Sequence, residues 1–156
     1  MRIKKVKITA AGKIMIVYEK RSQGAWDEYS LSCSEAARPE FYAALGTLAP
    51  HVVEMCELPK NYVEKIKVRG VSFSYGGEKE VMGATISASM ELRDSYPDLN
   101  LNTPHKASEM YSDSPPDEKQ LLTDRCTDDL EYVQDECQVY IRGDRAQGTL
   151  KFGDVA

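Results

Sequence analysis

Lys65, Lys67 and Arg69 fall on alternate positions of one extended stretch, and Val71, Phe73 and Tyr75 continue the same parity. In a straight β-strand that spacing puts all six side chains on one face. Cations beside rings suit single-stranded nucleic acid: the cations follow the phosphates and the rings stack on bases, each stack contributing ~1–3 kcal/mol. Arg2 and Lys4, two positions apart near the N-terminus, extend the patch. A bulge at Gly70 is the competing arrangement. Apolar parity changes there, from even at Ile66 and Val68 to odd at Val71, Phe73 and Tyr75. One extra residue would bring all five apolar side chains to one side and turn both rings into core.

Other chemistry finds less to work with. The histidines, His51 and His105, form no H-x-x-x-H pair and no acid-flanked motif. Cys33, Cys56, Cys126 and Cys137 show no C-x-x-C spacing, so they read as reduced, packed thiols rather than zinc ligands or redox pairs. No strand–glycine turn–helix arrangement suits a phosphate cradle. The expectation is a non-enzymatic protein with no catalytic residues, no metal and no cofactor.

Charge is unevenly spread over a chain of net charge −5. Residues 1–21 hold seven cations against Glu19 alone, and residues 108–139 hold ten acids against Lys119 and Arg125. A rod of carboxylates, with Asp128, Asp129 and Asp135 among them, imitates the charge of a nucleic-acid backbone and suits a basic groove on another protein. An amphipathic surface helix also needs a polar outer face, which is the plainer explanation. Near the C-terminus, Gln147, Leu150 and Phe152 spell Q-x-x-L-x-F, which resembles the bacterial sliding-clamp-binding peptide and departs from it at Gly148. A last strand over 148–152 is the alternative.

Several elements must hold these residues. Strands are expected over 2–9, 13–20 and 26–33, with turns at Ala11-Gly12 and Ser22-Gln23-Gly24. Arg38-Pro39 opens a helix whose apolar face is Phe41, Leu45, Leu48, Val52 and Met55, broken near Leu48 by Pro50. Strands over 64–75 and 80–91 flank the hairpin turn Gly76-Gly77. Met82, Ala84, Ile86, Ala88 and Met90 alternate with Thr85, Ser87 and Ser89, the pattern of a sheet with one wet face. Residues 94–116 hold four of the seven prolines and read as a long loop. A helix over 117–142 follows, capped by Ser114, with a stripe running Leu122, Cys126, Leu130, Val133, Cys137 and Ile141 that suits the sheet or a second copy in a homodimer.

The fold class is therefore α+β: a five-stranded antiparallel sheet of order β-β-β-α-β-β, OB-like if it closes into a barrel, with a long C-terminal amphipathic helix. The organisation is a core domain over 1–93, a loop over 94–116, the helix over 117–142 and a tail over 143–156. No run of about 18 apolar residues is present, and lysines interrupt the apolar N-terminal stretch, so a cytoplasmic protein without membrane contact is expected.

RPEFYAAL at 38–45, VRGVSFSYGG at 68–77, VMGATISA at 81–88, LNLNTPHK at 99–106 and GDRAQG at 143–148 together resemble small proteins encoded by phages and prophages of Gram-positive gut bacteria. The resemblance brings no activity and no site residues. It implies a setting: replication or recombination accessories, and inhibitors of host defence. With the basic patch, the expectation is a phage accessory protein in the host cytoplasm that binds single-stranded DNA or a replication or recombination protein. The alternative is an anti-defence inhibitor, anti-CRISPR-like or signal-sequestering, acting through the acidic helix or the loop.

Overall fold

A computed structural model of the chain describes residues 1–110 and 117–146. Strands β1 (Arg2–Ile8), β2 (Ile14–Ser22) and β3 (Ala25–Cys33) come first, then helices α1 (Pro39–Gly46) and α2 (Ala49–Met55). A 3-10 turn at Lys60–Lys65 leads to β4 (Ile66–Gly76) and β5 (Val81–Met90), then the short β6 (Leu99–Asn102) and β7 (Lys106–Ala107), and finally helix α3 (Asp124–Ile141). All strand pairings are antiparallel, in the order β3-β2-β1-β4-β5-β6, with β7 also pairing β5.

The α+β class, the antiparallel sheet and the C-terminal helix match the sequence expectation; three details do not. Among the described residues the sheet is open, with β3 at one edge, and does not close into a barrel. The described residues form seven strands, because β6 and β7 lie inside the stretch expected as irregular loop. The last helix starts at Asp124 and not at 117, capped by Thr123, whose hydroxyl accepts from the Cys126 amide at 3.1 Å; Ser114, the cap expected, lies outside the described residues. Thr123 wins because the chain before it is held elsewhere, the Leu122 amide donating to Ala107 O.

The helices cover one face of the sheet. Ile3, Val6, Ile14, Ile16, Val71 and Ile86 from the strands meet Phe41, Leu48 and Val52 from α1 and α2, and Leu130, Val133 and Cys137 from α3. The Leu122–Ile141 stripe is thus spent inside the monomer. α1 ends at Gly46, Leu48 caps α2, and Pro50 sits in the first turn of α2, where its missing N–H has no partner to lose. Arg38 at the start of α1 grips the buried Glu136 of α3 with two bonds, 2.9 and 2.7 Å, and Glu136 holds the Arg38 guanidinium protonated well above its ordinary value.

Two irregularities decide what the opposite, uncovered face carries. The register shifts between Val68 and Gly70 on β4, and between Ile3 and Lys5 on β1. Each adds one residue and reverses side-chain parity beyond it. Gly70 is needed at its position: a Cβ would stand 2.3 Å from Val6 O of the neighbouring strand.

Candidate nucleic-acid interface

Parity, reset by the two bulges, selects the side chains of the open face. On β4, Ile66, Val68, Val71 and Phe73 are buried under the helices, and Lys67 and Arg69 project the other way. On β1, Val6 is buried, and Lys5 and Lys7 are exposed on the open side, opposite Ser72 and Gly70. Strands β1 and β4 are neighbours and antiparallel, so Lys5, Lys7, Arg69 and Lys67 follow one another along a single seam. Lys5 and Lys7 stand about 6–7 Å apart, two residues of strand rise.

Strand β5 supplies hydroxyls beside this row. Ser89 lies opposite Lys67 and accepts from Arg69 Nε at 3.2 Å; Ser87 lies opposite Gly70, and Thr85 opposite Ser72. Strand β6 adds Asn100 and Asn102, opposite Ser89 and Ser87. Between the seam and β6 runs an open groove of about 620 Å³, lined by Lys5, Lys7 and Arg69 on one wall and by Pro97, Asn100 and Asn102 on the other. Asp98 is its one acid. Tyr96, next to Pro97, is 97% exposed, about twice the exposure of any other large apolar or aromatic side chain among the described residues. His105 borders the same face, its Nε2 2.7 Å from Ser74 Oγ.

The residues singled out in the sequence divide. Lys67 and Arg69 lie on the seam. Lys65 ends the 3-10 turn, its ammonium 4.6 Å from the Tyr62 ring. Lys4 is the extra residue of the β1 bulge and is half-buried. Arg2 is committed elsewhere: its guanidinium lies 3.9 Å from the Trp26 ring and 4.7 Å from the Tyr75 ring, and bonds Glu19 at 2.9 Å and Glu80 at 3.1 Å.

Both rings expected beside the cations are on the other face. Phe73 is 4% exposed in the core. Tyr75 donates to Ile3 O at 2.6 Å and accepts from Gln134 Nε2 at 3.0 Å. Burial pushes its phenol up to about 12. The bulge at Gly70 is the cause, as the parity change in the sequence allowed. Lys5, Lys7 and Tyr96 went unselected there. Their signal was weaker: the β1 parity flip from Ile3 to Val6 has no glycine to mark it, and Tyr96 sits in a segment without periodicity.

On the helix side, Asp128 and Asp135 are exposed, but Asp129 accepts from His51 Nε2 at 2.7 Å and His51 is 8% exposed. The pair joins α2 to α3 beside a pocket of about 430 Å³ that Cys126 also lines. Burial pushes the Cys126 thiol up to about 12, so it is protonated and a poor nucleophile. The half-buried Cys33 thiol is shifted down, by the Tyr140 hydroxyl first, then the Glu35 amide, with Arg145 adding its charge. Among the described residues no group of His, Cys, Asp and Glu is placed to hold a metal ion, and no helix is long and apolar enough to cross a membrane. Gln147, Leu150 and Phe152 lie outside the described residues. No family model, no curated protein and no solved structure matches the chain.

Proposed function

We propose that the uncovered face of the sheet binds single-stranded DNA, as a non-enzymatic accessory to nucleic-acid processing. The observation that carries this reading is the row Lys5, Lys7, Arg69 and Lys67 on one seam, beside a groove with a single acid. The row runs along the strand direction, as a phosphate backbone would, and the exposed Asn100 and Asn102 amides stand across the groove from it. Tyr96 takes the stacking role that Phe73 and Tyr75, facing inward, cannot fill. The negative net charge does not oppose the reading, because the exposed acids of α3 lie on the helix layer and the seam lies on the opposite face.

Fluorescence anisotropy of a labelled oligonucleotide at low salt tests it. Lys5→Glu/Lys7→Glu should reduce affinity at least tenfold without unfolding the protein, since both side chains are exposed. If all four cations neutralise phosphates, log affinity against log salt should slope near about −3, from −0.7 per phosphate on a single strand. Absence of binding at tens of micromolar, or binding indifferent to the charge reversal, would end the reading.

A second reading rests on the exposed Asp124, Asp128, Glu131 and Asp135 of α3, which would meet a basic surface on a protein target, as an inhibitor does. Reversing Asp128 and Asp135 should abolish that interaction and leave DNA binding intact. Asp129 is unsuited to the test because its loss also breaks the His51 pair.

A further inference from the structure

The two walls of the groove differ in kind. The β1–β4 wall is cationic; the β6 wall is neutral amide, with Asp98 at its end. A bound strand cannot lie either way round in such a groove. Its phosphates are drawn to Lys5, Lys7 and Arg69 and repelled by Asp98, which turns the bases toward Asn100 and Asn102. These two amides sit at positions i and i+2 of β6, both on the open face and both exposed. The Asn102 amide is also fixed in orientation: Ser87 Oγ donates to its Oδ1 at 2.8 Å. With one lone pair of that oxygen engaged, the two N–H donors are the side chain's main free hydrogen-bonding groups.

We infer that Asn100 and Asn102 read base edges in this groove, and that the donors of Asn102 favour bases with ring carbonyls, thymine foremost, over adenine. The inference rests on the proposed DNA-binding reading and adds base preference to it. Phosphate contacts carry no sequence information, so preference must come from the amide wall. Thymine offers two carbonyl oxygens, one on either side of its N3–H, to an amide N–H; in adenine the amino donor flanks both accepting nitrogens of its pairing edges and opposes the N–H groups of Asn102 there. One good side-chain–base pairing gives about tenfold discrimination.

Labelled homopolymers of thymidine, cytidine and deoxyadenosine, titrated separately by anisotropy at one salt concentration, test this. Wild-type protein should bind the thymidine polymer about tenfold more tightly than the deoxyadenosine polymer. Asn100→Ala/Asn102→Ala should bring the three within about twofold while leaving the salt slope unchanged. Asn100→Ala alone, an exposed site with no structural bond at stake, should narrow the spread part-way and serves if the double variant unfolds. Equal wild-type affinities, or a preference that survives the amide substitutions, overturn the inference. Base-indifferent binding that Lys5→Glu/Lys7→Glu abolishes defeats base reading alone, whereas failure of all three polymers to bind defeats the DNA-binding reading with it.

Discussion

Tyr96 is the residue whose exposure asks most for a reason. A phenol ring fully in water gains nothing from burial, and here its chain neighbour Pro97 lines a groove whose other wall is cationic. In the DNA-binding account it stacks on a base. Tyr96→Ala should therefore weaken single-strand binding roughly tenfold, with no change in thermal unfolding, and Tyr96→Trp should restore or exceed wild-type affinity. An unaltered titration for Tyr96→Ala would remove the ring from the site. Arg2 is the opposite case. It looks free in the sequence and is the most committed cation near the sheet, held between Trp26 and Tyr75 and by two carboxylates. Its partners come from β2, β3, β4 and the β4–β5 turn, so no local pattern around position 2 announces them.

At the scale of elements, the bulges are what separate rings from cations. Gly70→Ala tests the one on β4. The new methyl group would need the space of Val6 O, so β1 and β4 must part or slip, at a cost of roughly 1–3 kcal/mol as in other overpacked sites. Chemical denaturation should show that loss, and DNA affinity should fall with it because the seam is made of the same two strands; full stability would mean that the bulge is not tight. This element was legible beforehand. The parity change at Gly70 and the helix break near Leu48 follow from alternation and proline chemistry, and both are present; the face of β5 expected to be wet is only half-exposed at Thr85 and Ser87, and Ser89 is buried in it. What was not legible is non-local. Strands β6 and β7 are four and two residues long and exist because β5 offers them an edge. The start of α3 is set by the bond from the Leu122 amide to Ala107 O, between residues far apart in the chain. Asn100 and Asn102 of the candidate groove lie on β6, and so that wall was hidden.

At the scale of the whole molecule, the helix layer and the sheet face have opposite duties. The layer closes the core and turns exposed acids outward; the face leaves its cations in water. The core also sets an alkaline limit. Tyr75 is raised to about 12 and Cys126 to about 12, both by burial. Raised values mean that the folded state keeps these protons after the unfolded chain has begun to release them. Their contribution is whole below about pH 9, and it is lost as the pH rises through the folded values near 12. Denaturation midpoints should fall steadily over that window, and Tyr75→Phe, which has no phenol proton to lose, should flatten part of the fall. A profile level from pH 9 to 12 would contradict the burial of both groups.

The account's central claim is that the seam of β1 and β4, with its groove, is the surface that meets nucleic acid. Titrating isotope-labelled protein with a short thymidine oligomer and following backbone amide shifts addresses it directly. The account predicts that the moving amides cluster at Lys5, Lys7, Lys67, Arg69, Ser87 and Asn102, with the outer face of α3 unmoved. Shifts confined to α3, or a spectrum that does not respond, would contradict it.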